Sequence, residues 1–216
     1  MATSPKILTV VIVDDHPVIR RGVKDILSES AAVDVVGEAA SAQEAFQVIR
    51  QTKPDLVLLD VTLPDRSGID LLKDIRASYP AVKVLVLSIH SEHLYAVRAL
   101  RAGAVGYLTK DSAPEELLKA LQRITAGGRY VSENVASELA KWEERKTLEL
   151  APHELLSDRE FEVLRLLGQG KSISQIATEL GVSVKTVSTY RARILEKLDK
   201  DGTADLIRYA VEHGLA

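Results

Sequence analysis

The chain has 216 residues, 46% hydrophobic and 27% charged, enough for one or two soluble globular domains. Its net charge of −3 argues against wholesale coating of nucleic acid, and its lack of cysteine excludes disulfide staples and thiolate metal sites while permitting a reducing cytosol, the expected location. No run approaches the ~18 apolar residues of a membrane span.

Residues 1–128 alternate short apolar strands with amphipathic helical patterns five times. The strand candidates are Ile7–Val13, Val33–Val36, Leu56–Leu59, Val82–Leu87 and Val105–Leu108. The first ends on two aspartates with no small-residue cleavage site after it, so it reads as a buried strand rather than a signal peptide. Leu56–Leu59 is an unbroken apolar run bounded by turn residues, which predicts a strand buried on both faces of a parallel sheet. Between the strands, apolar residues recur at three-to-four spacing: Ile19, Val23, Ile26 and Leu27; Ala42, Ala45, Phe46 and Ile49; Leu71, Leu72 and Ile75; Leu94, Val97 and Leu100; Leu117, Leu118, Leu121 and Ile124. Ser41 with Glu44 and Ser112 with Glu115 have capping-box spacing, and Pro114 stands near a first helical position. Strict βα alternation predicts right-handed crossovers and a five-stranded parallel α/β domain with helices on both faces.

Ligands of open α/β sheets sit beyond the carboxyl ends of the strands. There this chain delivers Asp14 and Asp15 after the first strand, Asp60 after the third, Ser88 after the fourth and Lys110 after the fifth. Each has a plain reading by itself: Asp60 opening a turn or capping a helix, Lys110 as a solvated lysine, Ser88 bonded to nearby backbone. Five such residues at the matching ends of four strands are hard to obtain by chance. Three converging carboxylates raise a pKa unless a cation lies among them, and Mg²⁺ takes carboxylates and phosphate oxygens as ligands. An aspartate can itself attack phosphorus to give an acyl phosphate, with Lys110 and Ser88 meeting the phosphoryl oxygens.

This arrangement resembles the receiver domain of bacterial two-component response regulators over residues 6–126. The resemblance implies a flavodoxin-like strand order of 2-1-3-4-5. It also implies that Asp60 is the phosphoacceptor for a histidine kinase, or for acetyl phosphate. Asp14 and Asp15 match the acidic pair that holds Mg²⁺ with Asp60 and the main-chain carbonyl of Thr62. Ser88 matches the switch hydroxyl, Lys110 the phosphate-pairing lysine and Tyr107 the switch aromatic; a plain core or surface tyrosine is the alternative for Tyr107. Receivers often carry a proline directly after the lysine, commonly with a cis bond before it; this chain has Asp111. Activation would reach either the face of the fourth helix, fifth strand and fifth helix, or the first and fifth helices, to change dimerisation.

Residues 129–156 read as a connector. Gly127-Gly128 ends the fifth helix, and Val135, Leu139 and Trp142 have helical spacing within a polar stretch from Val131 to Lys146. Trp142, the only tryptophan, reads as a packing residue, and Thr147 to Leu156 as extended linker.

Residues 157–216 carry 9 basic and 9 acidic side chains, so any nucleic-acid contact must come from a local cluster. Four short helices fit. Ser157 with Glu160 opens the first and Ser172 with Gln175 the second. Gly181-Val182 makes a turn, Ser183 caps a third from Val184 to about Leu198, and the last runs from about Thr203 to His213. Two helices about a tight glycine turn form a helix-turn-helix pattern, which many helical hairpins share. In the third helix Val187, Tyr190, Ile194 and Leu198 mark a buried face. Lys185, Ser188, Thr189, Ala192 and Arg193 lie opposite, flanked by Arg191 and Lys197. Small and hydroxylated side chains between basic ones suit a helix in a major groove; a solvated bundle face is the alternative.

This segment resembles the LuxR-type DNA-binding domain across Ser157 to Ala216, and the pairing of the two modules resembles the NarL/FixJ family. The resemblance implies a cytoplasmic transcription regulator that binds double-stranded promoter DNA, as a homodimer when active, through the closing helix. Lys185, Ser188, Thr189 and Ala192 would face base edges, and Thr186, Arg191, Arg193 and Lys197 phosphates. Beyond assisting its own phosphorylation and dephosphorylation, such a protein is not a conventional enzyme. One rival is a haloacid-dehalogenase-like phosphatase; those enzymes carry a second Asp two positions after the nucleophile, where this chain has Thr62, and it has no cap domain. Another is an interaction module that has lost phosphorylation, against which the intact set of five residues argues.

Overall fold

A computed structural model describes residues 7–89, 92–112, 114–132, 135–137, 139–140 and 151–216, with residues 92–94 as backbone only. The chain divides into two compact units, Met1–Leu139 and Ala140–Ala216. Among the described residues no helix is long and apolar enough to cross a membrane.

In the first unit β1 (Leu8–Val13), β2 (Val33–Ala39), β3 (Leu56–Leu59), β4 (Lys83–Ser88) and β5 (Gly106–Thr109) form one sheet in the order β2-β1-β3-β4-β5. All pairings are parallel. The fold is therefore the expected flavodoxin-like α/β sheet. The helices are α1 (Pro17–Ser28), α2 (Ala42–Thr52), α3 (Gly68–Ser78), α4 (Glu92–Arg101) and α5 (Pro114–Thr125). β3 is central, and each of its four side chains is at most 1% exposed, because helices cover both faces. The two-residue alternation of a strand sorts the core. Val10, Ile12, Leu56, Leu58, Leu85, Leu87 and Leu108 pack with Val23 and Leu27 of α1 and Leu117, Leu121 and Ile124 of α5. Their neighbours Val11, Val13, Val57, Leu59, Val84, Val86 and Tyr107, all buried, face the other side.

Two helix starts differ from expectation. Ser41 caps α2 by accepting from the Glu44 amide. The Glu44 carboxylate, however, returns to the Ala40 amide at 2.7 Å, one residue before the cap. The amide of Ala42, at the first helical position, goes instead to Asp65 Oδ1 at 2.9 Å. α5 opens at Pro114, one residue later than a Ser112 cap requires; Ser112 Oγ lies 3.1 Å from Thr109 Oγ1 instead, and the cap position Ala113 lies outside the described residues.

In the connector, Ser132 Oγ accepts from the Val135 amide at 3.3 Å and residues 135–137 and 139–140 are helical. Trp142 lies outside the described residues. The expected extended linker does not run through to Leu156. Pro152–Leu155 is a 3-10 turn with Pro152 at its first position, where proline's fixed φ favours a helical start. His153 Nδ1 in that turn lies 2.9 Å from Tyr209 Oη, which ties the turn to the second unit.

The second unit holds α6 (Asp158–Gly168), α7 (Ile173–Glu179), α8 (Val184–Leu198) and α9 (Thr203–Glu212). Ser157 with Glu160 and Ser172 with Gln175 each close a full capping box, and Ser183 caps α8. Gly181 turns the chain between α7 and α8 at φ +63°, a left-handed conformation in which glycine has no Cβ to clash. Phe161, Leu164, Ile176, Val187, Ile194, Leu198, Leu206 and Ala210 are all buried. This is the expected small all-α domain.

Candidate functional site

On the carboxyl edge of the sheet, backbone hydrogen bonds continue past the strands and carry the register onto the residues beyond. The Asp60 amide donates to Val13 O (2.9 Å), the Asp14 amide to Ala39 O (3.1 Å) and the Lys110 amide to Ser88 O (2.8 Å). Three side chains then converge. Lys110 Nζ stands 2.5 Å from Asp14 Oδ2 and 2.7 Å from Asp60 Oδ2, and none of the three is more than 5% exposed. Two buried carboxylates thus share one ammonium. Burial pushes the Asp60 carboxyl up to about 6; Lys110, by charge and hydrogen bond, pulls against that rise, while Asp14 adds to it. Burial works to lower the pKa of Lys110, but Asp60 and Asp14 together raise it.

Asp15 Oδ1 is buried with no hydrogen-bond donor aligned on it. Ligand atoms of Asp14, Asp15, His16 and Asp60 all lie within 4.8 Å of one another. Three carboxylates gathered this closely are what a hard divalent cation satisfies, so the residues fit Mg²⁺. Thr62 lies in the same loop, its amide donating to Asp60 Oδ1 at 3.3 Å.

His16 belongs to this cluster and was not among the expected residues. Its Nδ1 is 2.7 Å from Asp15 Oδ1 and 3.3 Å from Asp14 Oδ1, and its amide donates to Asp14 Oδ1 at 2.8 Å. It occupies the N-cap position of α1 without a side-chain cap, the ring turning to the acids instead. Adjacency to Asp14-Asp15 was the available signal.

Ser88 is fully buried at the end of β4, in register with Thr109, the residue before Lys110. Tyr107 lies in β5 opposite Val86, 1% exposed, its amide donating to Tyr130 O at 3.3 Å. No described peptide bond is cis, so Lys110 and Asp111 are joined by a trans bond.

The loop that carries Asp60 doubles back on its own backbone. A Cβ on Gly68 would stand 2.0 Å from Asp60 O and 2.9 Å from Val61 Cα, and the Gly68 amide donates to Val61 O at 2.7 Å. Gly68→Ala is therefore expected to lower unfolding stability by about 3 kcal/mol, seen as a fall in urea midpoint with unchanged slope.

In the second unit the expected base-facing set lies on the accessible side of α8: Lys185, Thr189 and Ala192 are exposed and Ser188 partly so, and Arg193, an expected phosphate contact, is exposed beside them. Three expected phosphate contacts are engaged within the domain. Thr186 Oγ1 lies 2.8 Å from Ser183 Oγ. Arg191 Nη1 donates to Thr203 Oγ1 at 3.2 Å. Lys197 Nζ sits 2.6 Å from Glu160 Oε2, the carboxylate that also closes the α6 capping box from the Ser157 amide. Lys197 thereby ties α8 to the start of α6.

That tie is pH-dependent. Burial pushes the Glu160 carboxyl up, but the Lys197 ammonium and the Ser157 amide and hydroxyl outweigh it and hold it below its ordinary value of 4.5. A depressed carboxylate stabilises the fold fully above the unfolded value and loses that contribution as pH falls through the folded one. Glu160→Gln is thus expected to lower the denaturation midpoint of the helical domain at pH 7, with the gap from wild type closing progressively below pH 4.5. A gap that stays constant down to pH 3, roughly, would refute the assignment.

Comparison with known proteins matches both units. Residues 10–122 match the response regulator receiver domain, and residues 154–210 the LuxR family of bacterial regulatory proteins. The response regulator UvrY of Escherichia coli (strain K12) is 33% identical over 208 residues, covering 96% of this chain and 95% of UvrY. RcsB of Salmonella enterica serovar Typhimurium, solved bound to promoter P1flhDC with the phosphomimetic BeF3-, is 27% identical at a TM-score of 0.61, covering 94% of this chain and 97% of that one. A structure of two RcsB dimers bound to two parallel DNAs is 28% identical at a TM-score of 0.60, covering 95% and 98%.

Proposed function

The chain belongs to the NarL/FixJ family of response regulators, a receiver domain followed by a LuxR-type DNA-binding domain, and on that footing we propose that it is a transcription regulator switched by phosphorylation of Asp60. The observation that carries this reading is the Asp14–Lys110–Asp60 contact at the carboxyl edge of the sheet, with ligand atoms of Asp15 and His16 within 4.8 Å of those of both aspartates. An Asp60 carboxylate oxygen attacks the phosphorus of a phosphohistidine or of acetyl phosphate. The bond from phosphorus to the imidazole nitrogen, or to the acetate oxygen, breaks with its electron pair, and Asp60 becomes an acyl phosphate. With its carboxyl at about 6, Asp60 is mainly ionised at neutral pH and so is a competent nucleophile.

Asp14, Asp15 and Asp60, with the Thr62 carbonyl, would hold Mg²⁺. When bound, the ion supplies positive charge that offsets the phosphoryl oxygens. Lys110, already on Asp60, follows the transferred group as a point charge. Ser88 donates its hydroxyl to a second phosphoryl oxygen. Because Ser88 and Thr109 are register partners, a shift of Ser88 bears on β5 and on the buried ring of Tyr107. The residues 1–128 form the receiver, 129–156 the connector and 157–216 the DNA-binding domain. Lys185 and Arg193, both exposed on α8, are the first candidates for DNA contact. On this reading the protein assists its own phosphorylation and dephosphorylation and is not a conventional enzyme.

RcsB supports the DNA and dimer parts of the reading through its promoter-bound and dimeric structures. The test treats the full chain with acetyl phosphate and Mg²⁺ and measures sedimentation and binding to genomic promoter fragments. Phosphorylation is expected to move the protein toward dimer and to tighten DNA binding about tenfold. Phosphorylated protein that differs from untreated protein in neither measurement would overturn the coupling.

A further inference from the structure

The outward face of α8 has an unusual balance. Its hydroxyls are engaged by their own helix. Ser188 Oγ donates to Val184 O at 2.9 Å and Thr189 Oγ1 to Lys185 O at 3.0 Å. Ser183 Oγ accepts from the Thr186 amide at 3.0 Å and pairs with the Thr186 hydroxyl at 2.8 Å. A hydroxyl carries one proton, so Ser188 and Thr189 offer a ligand only acceptor lone pairs in this arrangement.

The apolar side of the balance is Val184. Among the large aliphatic residues of the helix, Val187 and Ile194 are 0% exposed, Leu198 is 5% and Leu195 is partly buried, yet Val184 is 50% exposed. It stands at the first helical position, directly after the Ser183 cap. Amphipathic packing gives no reason for an isopropyl group in water there. In helix-turn-helix proteins the first residues of the second helix are the ones that meet base edges. The major groove presents one apolar feature to such a residue, the C5-methyl group of thymine. Ala192, also exposed, continues the non-hydrogen-bonding character two turns further along.

We infer that Val184 is a specificity-determining residue that reads a thymine methyl group, so that the preferred half-site carries thymine beneath the start of α8. The inference rests on the DNA-binding reading above. Lys185 beside it supplies charge and hydrogen-bond donors, and Val184 supplies discrimination by contact. Burying one methyl group corresponds to about a fourfold change in affinity.

The experiment selects sites for the phosphorylated full chain from a random duplex library. It then titrates the selected duplex with each thymine replaced in turn by deoxyuridine, against wild type and Val184→Ala. One thymine per half-site is expected at which deoxyuridine weakens wild type about fourfold and leaves Val184→Ala unchanged. Val184→Ala itself should bind the thymine duplex about as weakly as wild type binds the deoxyuridine one. Its melting temperature should match wild type, since the side chain is half exposed. Selection that enriches a site with no such coupled thymine overturns the inference alone. Selection that enriches nothing overturns the DNA-binding reading and the inference with it.

Discussion

Asp60→Asn is expected to take up no phosphoryl group from acetyl phosphate with Mg²⁺ under conditions that label the wild type, as read by intact-protein mass. The amide nitrogen and oxygen of asparagine keep the size and much of the hydrogen bonding of the side chain but have no anionic oxygen to attack phosphorus. Wild-type and variant protein labelled to the same extent would refute the nucleophile assignment. The same substitution should make the receiver more stable in Mg²⁺-free buffer. Asp14 and Asp60 are buried and share the single ammonium of Lys110, so the group carries one excess negative charge where water cannot screen it. Removing that charge is worth on the order of 1–2 kcal/mol, read as a higher denaturation midpoint. Loss of activity with a gain in stability is the signature of a site held in a strained charge state for its chemistry.

Lys110→Met is the opposite experiment. It keeps the length and apolar stem of the side chain but leaves Asp14 and Asp60 buried without a cation. Breaking a buried pair by removing one partner costs about 3–5 kcal/mol, so the urea midpoint should fall well below that of wild type. Two further measurements separate this cause from a packing defect. Mg²⁺ should recover part of the lost stability, because a ligand that binds only the folded state stabilises it. Adding Asp60→Asn to Lys110→Met should recover part as well, because only one buried charge then remains. The two substitutions will therefore be strongly non-additive. An additive double variant that is also indifferent to Mg²⁺ would mean that Lys110 is not what holds the two acids together.

The fold was legible in the sequence because its information is local. Leu56–Leu59 reads as a buried strand from four residues, and the alternation of such runs with 3.6-period helices leaves few topologies once crossovers are right-handed. The acidic cluster was legible for a related reason: a parallel sheet brings every strand's carboxyl end to one edge, so Asp14, Asp60, Ser88 and Lys110 had to share it. The capping boxes of α6 and α7 were equally local, each a serine with a Glu or Gln three residues on. Ser112 failed the same test because Pro114 can open a helix by itself.

What the sequence determined by itself was therefore the class of each element, the edge on which the chemistry gathers and the helix with the groove-facing pattern. The tertiary structure alone decided which side chains satisfy one another. Lys110 closes on Asp60 across 50 positions of chain and Lys197 on Glu160 across 37; the first becomes the counter-charge of the acidic site and the second ties two helices of the second unit together. His16 turned to the acids rather than capping its helix, and the close approach of the Asp60 carbonyl to Gly68 exists only in the folded loop. The physical reason is one of range. Periodicity and capping depend on neighbours within a turn or two, whereas a buried charge takes whichever opposite charge the packed chain brings within hydrogen-bonding distance, and that distance exists only after folding.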